Sequence, residues 1–248
     1  MSQQYLTIDC GNTATKLVVY DAQTGSEKDH AIMRGRATVE QINGWTGGRA
    51  LAGVATASVV GDVSDLLEGI DAPLKVNLDH TTRLPIANGY ATPATLGPDR
   101  LGAAVGAASL LPGEDLLVAD IGTACTFDVV RADGTYMGGN IAPGVGMRLR
   151  ALHHFTARLP LVNSHATEPL PEFGGSTAEA LRAGSLRGVV AEICYYARLN
   201  PQGSQRRLFL TGGWAPEIAA LLPSDIDYTL HPHLVNQGLL SILHYYSK

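Results

Sequence analysis

The sequence lacks the features that mark membrane and secreted proteins. None of its apolar runs approaches the ~20 residues that a helix needs to span a bilayer. Its N-terminus has no basic region followed by an apolar core, which a secretory signal requires. We therefore expect a soluble, cytoplasmic protein with no membrane partner.

Positive charge is also scarce. The 248 residues include 18 Lys and Arg against 23 Asp and Glu, which gives a net charge of −5 and a pI near 5.9. Proteins that bind the nucleic-acid backbone usually carry a basic patch, and this sequence contains no basic block. We expect no nucleic-acid partner, so local groups must hold any anionic ligand.

Cysteine and histidine patterns argue against a disulfide framework and against common zinc motifs. The three cysteines, Cys10, Cys125 and Cys194, are odd in number, widely separated and outside any CxxC spacing. We expect them to be reduced and buried. The pairs His153–His154 and His231/His233 lack the HExxH pattern, so we interpret them as surface or packing residues.

A segment of the chain occurs twice. The stretch LTIDCGNTATKLVVY from Leu6 aligns with LVADIGTACTFDVVR from Leu117, 111 residues later. The matched positions are identical at Leu6/Leu117, Asp9/Asp120, Gly11/Gly122, Thr15/Thr126, Val18/Val129 and Val19/Val130. Each copy predicts a strand, an Asp-x-Gly turn and a second strand, and such a long separation indicates a duplicated domain. The turn-rich LLPGED precedes the second copy, so we predict domains at 1–114 and 115–248.

Helix-like and strand-like segments alternate between the two hairpins, which predicts an α/β architecture. An Asp-x-Gly turn is common, and one copy alone carries little functional weight. If two copies face each other, their N–H groups and the hydroxyls of Thr13, Thr123 and Thr126 are suited to nucleotide phosphates. Their aspartates are then suited to metal ions.

Two further segments are ambiguous from their residues alone. RRLFLTGGWAPEIAALL predicts a strand ending at Thr211, a Gly-Gly turn and a helix over about 215–222. That turn suits either close approach of a ligand or a tight bend without one. ATLGPDRLGAAVGAASLL predicts a helix that begins at Pro98, where Asp99 would complement the helix dipole and pair with Arg100.

Five motifs in order carry a family resemblance. They are DCGNTATK from Asp9, GPDR from Gly97, DIGTACTFD from Asp120, GGNIAPG from Gly138 and STAEALRAG from Ser176. Together they resemble type III pantothenate kinase, within the actin-like ATPase and sugar kinase superfamily. The resemblance implies duplicated actin-like (ribonuclease H-like) domains, with mixed sheets flanked by helices and a cleft between them. It also implies ATP-dependent phosphorylation of pantothenate to 4′-phosphopantothenate, the first step of coenzyme A biosynthesis.

The resemblance also implies roles for individual residues. Asp99 is the implied general base, and Arg100 the implied ligand of the substrate carboxylate. The implied substrate-binding residues are Tyr90, Gly97, Pro98, Asp99, Arg100 and Thr177. Thr177 also follows Ser176, whose spacing to Glu179 predicts a capping box and a helix start. The implied ATP-binding residues are Asp9, Cys10, Gly11, Asn12, Thr13, Ala14, Thr15, Lys16 and Thr123.

The implied ions and partners follow the same matching. Asp9 is expected to orient magnesium on ATP, and Asp120 matches a site for a monovalent cation, potassium or ammonium. A homodimer is expected, with its interface on the second domain. The Gly-Gly turn of the same domain is expected to bind adenosine. Two alternatives stay open: a nucleotide-binding regulatory protein of the same fold, or a kinase for another small hydroxylated metabolite.

Overall fold

The computed structural model describes residues 3–163, 169–199 and 205–248. Its elements alternate between strands and helices, as the sequence predicts. They are β1 (Gln4–Cys10), β2 (Ala14–Asp21), β3 (Glu27–Arg34), α1 (Val39–Thr46), β4 (Leu51–Ser58), α2 (Ser64–Gly69), β5 (Leu74–Asn77), β6 (Ala87–Asn88), a 3₁₀ turn (Pro93–Thr95), α3 (Pro98–Leu110), β7 (Leu116–Ile121), β8 (Ala124–Val130), β9 (Thr135–Pro143), α4 (Val145–Phe155), α5 (Thr177–Arg198), β10 (Arg207–Thr211), α6 (Ala215–Ala219), β11 (Tyr228–Leu230) and α7 (Leu234–Tyr246).

The first sheet is mixed and has the strand order β3-β2-β1-β4-β5. Strands β1, β2 and β3 pair antiparallel, whereas β4 and β5 join in parallel. Both β1 and β2 are almost wholly buried, in keeping with their continuous apolar and β-branched residues. The hairpin register places Asp9 opposite Lys16 and Cys10 opposite Thr15, which confirms the hairpin predicted at the N-terminus.

The second sheet has the order β11-β10-β7-β8-β9-β6. Strands β7, β10 and β11 run parallel, with Asp120 opposite Thr211. The β7–β8 turn resembles the first hairpin but is one residue shorter: Gly122 donates its N–H to the Ala124 carbonyl at 3.0 Å, whereas Gly11 donates to Ala14. This correspondence confirms the duplicated hairpin.

The contacts of the chain divide it into two compact units. The first comprises the chain as far as Glu114 together with Val129–Gly138 and His233–Lys248, and the second comprises Asp115–Asp128 and Gly139–Pro232. The predicted domains at 1–114 and 115–248 did not include the return of α7 to the first unit. Within that unit α7 packs on α3, and a Cβ added to Gly238 would lie 1.9 Å from the Gly102 carbonyl oxygen.

Helix ends agree with local sequence signals in most places. Ser176 and Glu179 form the predicted capping box of α5, and Pro98 occupies the first turn of α3. Helix α6 ends at Ala219, three residues before the predicted end at 222. The following N–H groups of Leu221 and Leu222 bond three residues back, and the proline after Leu222 disfavours continued α-helix. Within the described residues, no helix combines the length and apolarity needed to cross a membrane.

Candidate functional site

The first hairpin turn is anchored to the chain that follows β3. Gly35 donates its N–H to the Thr13 carbonyl at 2.9 Å. The Thr15 hydroxyl donates to the Gly35 carbonyl at 2.8 Å and accepts the Ala37 N–H at 3.0 Å. Thr15 is fully buried, so its side chain fixes the loop, whereas Asn12 and Thr13 are exposed at the tip. Hydrogen bonds therefore hold the base of the turn, and its tip faces solvent.

Within this hairpin, Asp9 and Cys10 end β1, and Ala14 and Lys16 begin β2. Asp9 is only 8% exposed, and its Cα pairs with that of Lys16 on the neighbouring strand. Burial raises the pKa of the Cys10 thiol to about 11, although a hydrogen bond with Thr15 opposes the shift. Cys10 is therefore protonated near neutral pH and is not a nucleophile.

The pKa of the cysteine thiol in the second hairpin is raised in the same way. Cys125 is fully buried, and this burial raises its pKa to about 12. The cysteines inside both turns are thus packing residues, as their apolar surroundings require.

The second hairpin turn supports the end of the glycine-rich segment GGNIAPG. Gly144 donates its N–H to the Thr123 carbonyl at 3.2 Å, and α4 begins at the next residue. A Cβ on Gly144 would lie 2.3 Å from the Gly122 carbonyl oxygen, so only glycine fits this approach. Thr123 is therefore held at the junction of the turn and a helix start.

The Gly-Gly turn lies directly against Asp120 in the second unit. Gly212 has φ +93°, and a Cβ there would lie 2.4 Å from Asp120 Oδ1 and 2.6 Å from the Ile121 backbone. Trp214 donates its N–H to the Ile121 carbonyl at 2.9 Å, which closes the turn. The Gly-Gly turn and the second hairpin, which are distant in sequence, are thus in contact, with the Gly212 backbone next to the Asp120 carboxylate.

The first turn of α3 holds Asp99 in a defined place. Asp99 Oδ1 accepts the N–H of Arg100 at 2.8 Å, so the carboxylate complements the helix N-terminus as the sequence predicts. Gly97 precedes the helix, and a Cβ there would lie 2.5 Å from the same oxygen. Gly97 and Pro98 therefore shape the backbone that supports Asp99.

Arg100 and Tyr90 stack beside Asp99 in the first unit. Arg100 is 6% exposed, and its Cζ lies 5.7 Å from the centroid of the Tyr90 ring. The Tyr90 ring in turn lies 6.1 Å from that of Tyr136. Gly138 has φ +93°, and a Cβ there would lie 2.9 Å from the Tyr90 ring. No sequence motif indicated that Tyr136 and Gly138 support Tyr90, although the Gly138–Gly139 pair is typical of a close backbone approach.

A cavity of about 210 Å³ opens beside this helix start within the first unit. Its lining includes Pro98 together with the polar residues Ser58, Asn77 and Asp79. Asn77 is fixed by a hydrogen bond that its Oδ1 accepts from Thr56 Oγ1 at 2.8 Å. Ser58 ends β4, Asn77 ends β5 and Asp79 follows β5, and no motif in the sequence indicated these three residues.

Thr177 lies in the second unit, where it is the first residue of the 22-residue helix α5. The Ser176 hydroxyl accepts the N–H of Glu179 at 3.3 Å, and the Glu179 carboxylate accepts the N–H of Ser176 at 3.0 Å. Thr177 is exposed beside this cap. The residues predicted to bind ligands therefore fall in both units: the first hairpin, Tyr90, Asp99 and Arg100 belong to one, and Asp120, Thr123 and Thr177 to the other.

Comparisons with known proteins agree with these features. A family model for type III pantothenate kinase matches residues 5–198. A type III pantothenate kinase from Bacteroides fragilis is 39% identical over 248 residues, covering 97% of each chain. One from Porphyromonas gingivalis is 42% identical over 184 residues, covering 73% of this chain and 70% of its relative.

Solved structures share the fold at lower identity. A Campylobacter jejuni protein described as a Baf family transcriptional activator matches with TM-score 0.63 and 20% identity, covering 98% of both chains. A Sinorhizobium meliloti protein described as a 2-dehydro-3-deoxygalactonokinase matches with TM-score 0.58 and 14% identity, covering 98% and 99%. The fold class is therefore the predicted one, duplicated actin-like domains built on mixed sheets flanked by helices.

Proposed function

Since the chain belongs to the type III pantothenate kinase family, we propose that Asp99, Arg100 and Tyr90 form the acceptor half of its active site. The family's reaction is ATP-dependent phosphorylation of pantothenate to 4′-phosphopantothenate, the first step of coenzyme A biosynthesis. One observation carries the proposal: a carboxylate and a guanidinium occupy adjacent positions in the first turn of α3, with the guanidinium stacked on an aromatic ring.

Asp99 is the general base in this proposal. The N–H of Arg100 and the positive end of α3 both favour its ionised carboxylate. It accepts the proton of the terminal hydroxyl of pantothenate while the hydroxyl oxygen bonds to the γ-phosphorus of ATP. The bond from that phosphorus to the bridging oxygen breaks, and ADP leaves. Phosphoryl transfer depends mainly on positioning and charge stabilisation, which a fixed carboxylate supplies.

Arg100 binds the carboxylate of pantothenate, because a planar guanidinium forms two parallel hydrogen bonds to a carboxylate. Stacking on Tyr90 and burial restrict its rotamers, so little entropy is lost on binding. Gly97, Pro98 and Thr177 complete the proposed substrate contacts. Thr177 is suited to this by its exposed position at a helix N-terminus.

Replacing Arg100 with lysine tests this assignment. Arg100→Lys keeps the charge but loses the planar pair of donors, so we expect KM for pantothenate to rise roughly 10–30-fold. We expect KM for ATP to stay within about twofold of wild type, because the substitution removes contacts to pantothenate and none to ATP. Steady-state kinetics with each substrate varied measure the split. Arg34→Lys, at an exposed position, is the control, and a pantothenate KM equal to wild type in Arg100→Lys contradicts the role.

Gly97 allows a second test, of positioning. In Gly97→Ala the new Cβ would meet Asp99 Oδ1, so the carboxylate must shift. A displacement near 1 Å costs about a hundredfold in rate when geometry dominates, and we expect kcat to fall by about 10–100-fold while far-UV circular dichroism is unchanged. Gly44→Ala, where a Cβ meets no atom within 4 Å, is the matched control. Equal kcat values for the two variants would show that Asp99 does not need its observed place.

The two hairpins are proposed to bind ATP. The exposed tip at Asn12 and Thr13 and the Thr123 hydroxyl suit phosphate oxygens, and Asp9, Cys10, Gly11, Ala14, Thr15 and Lys16 form the base of that tip. The nearly buried Asp9 carboxylate is the oxygen donor that magnesium prefers, so Asp9 would hold magnesium, directly or through water. Bound magnesium would neutralise the negative charge of the phosphates. This matters because the two hairpin turns carry few cationic side chains.

Asp120 is proposed to hold a monovalent cation, potassium or ammonium. Because Gly212 has no Cβ, its backbone lies against Asp120 Oδ1, and a carboxylate oxygen is a suitable donor for a hard cation. We expect Asp120→Asn to lose most of the stimulation by potassium over sodium, because its charge is removed. Initial rates in matched potassium and sodium chloride measure this, with exposed Asp227→Asn as control. Full potassium stimulation in Asp120→Asn would exclude the assignment.

A homodimer in the cytoplasm completes the proposal. Large exposed apolar side chains of the second unit, among them Phe155 at 81% and Phe173 at 86%, support an interface there.

A further inference from the structure

Three potential metal ligands converge in the first unit, on residues that the phosphoryl-transfer proposal does not use. They are Glu27 and His30 on the edge strand β3 and His233 at the start of α7. One ligand atom from each lies within 4.8 Å of the other two. His30 Nδ1 lies 2.7 Å from Glu27 Oε1, and the His30 and His233 rings are 4.8 Å apart.

A β-bulge explains why two residues three apart in a strand share one face. In a regular strand, Glu27 and His30 would point to opposite faces. Here His30 pairs with Val18 and Glu27 with Tyr20, because Lys28 is an extra residue between two ladder pairs. Since Val18 and Tyr20 are two apart on β2, their partners lie on the same side. The bulge therefore aims both side chains toward one point.

His233 reaches that point from the C-terminal end of the chain. It is the residue before α7, which packs within the first unit against α3, β1, β2 and β4. Since these contacts fix the start of α7, the His233 ring is held beside β3 by the fold. Its sequence distance from His30 explains why no spacing motif could predict the pair.

We propose that Glu27, His30 and His233 form a site for a transition-metal dication, zinc in the first place. Two imidazole nitrogens and one carboxylate oxygen are a common zinc donor set that leaves a fourth position for water. Metal bonds of about 2.0–2.1 Å in a tetrahedron place ligand atoms about 3.3 Å apart, within reach of this cluster. The side chains of His30 and Glu27 are 52% and 39% exposed, so an ion has access from solvent.

Zinc at this site would join the edge strand to the helix start. An unfolded chain does not hold these ligands together, so binding stabilises the folded unit. With free zinc about 100-fold above Kd, we expect the melting temperature to rise by roughly 5–10 °C. The site goes beyond the kinase activity and does not depend on it.

Titration of the full-length, tag-free chain tests the proposal. We expect isothermal calorimetry with zinc chloride to give one site per chain, and cobalt to give the visible ligand-field bands of tetrahedral coordination. Each of Glu27→Gln, His30→Ala and His233→Asn should weaken binding by about tenfold or more, as removal of metal-site groups does. The double variant His153→Ala/His154→Ala is the matched control and should bind like wild type.

Two outcomes would overturn the site. One is absence of zinc binding by the wild-type chain; the other is unchanged affinity in His30→Ala and Glu27→Gln, which would leave the cluster as an ion pair with a stacked ring. Both substitutions lie on a solvent-facing edge strand, so they test the site even if His233→Asn does not fold. Loss of binding in the control variant would place the zinc elsewhere and would equally reject the proposal.

Discussion

Asp99→Asn is expected to lower kcat for pantothenate phosphorylation by about 10²–10⁴-fold, the usual contribution of a positioned general base. The amide is nearly isosteric and can still accept the Arg100 N–H through its oxygen, so the first turn of α3 should keep its shape. It cannot accept the substrate proton, because an amide is a very weak base. The loss should therefore appear in turnover rather than in substrate binding.

Two measurements separate this role from a structural one. The Kd for magnesium-ATP, measured by calorimetry, should stay within about twofold of wild type, and the melting temperature should change little. Asp71→Asn makes the same chemical change at an exposed position of the first unit and should keep full activity. If nucleotide affinity and turnover fell together in Asp99→Asn, Asp99 would be a structural residue.

Gly212→Ala is expected to destabilise the second unit strongly. A residue with φ +93° is strained once it carries a Cβ, at about 1–2 kcal/mol. The same Cβ would lie 2.4 Å from Asp120 Oδ1 and 2.6 Å from Ile121 backbone atoms, so the turn must open. Overpacking of this kind costs another 1–3 kcal/mol. The free energy of unfolding should fall by about 2–5 kcal/mol, and potassium stimulation should weaken.

The next residue provides the control. A Cβ at Gly213 meets no atom within 4 Å, and Gly213 is outside the glycines with positive φ, so Gly213→Ala should unfold near the wild-type urea midpoint. Urea unfolding followed by circular dichroism compares the three proteins. Equal midpoints for Gly212→Ala and Gly213→Ala would mean that the turn does not press on Asp120.

Local signals predicted much of this fold. The Asp-x-Gly hairpins follow from apolar, β-branched strands on either side of a glycine turn, and Pro98 and the Ser176 cap predict helix starts that require no distant contact. The roles of Asp99 and Arg100 came from the family resemblance, because the residues alone favour a dipole-complementing pair.

Features that depend on distant contacts escaped prediction. The return of α7 to the first unit depends on packing between Gly102 and Gly238, which are far apart in the chain. Gly138 supports Tyr90 only because β9 pairs with β6. A bulge at Lys28 and the position of α7 bring Glu27 near His233. No local sequence pattern predicts either the bulge or the position of this helix.

The most direct test of the kinase assignment is ADP release from magnesium-ATP in potassium buffer, with and without pantothenate, followed by mass determination of the product. The proposed site predicts ADP release that depends on pantothenate, with one phosphate added per ADP formed. A folded protein that binds nucleotide but gives no pantothenate-dependent ADP in potassium, ammonium or sodium would contradict it and favour the regulatory alternative.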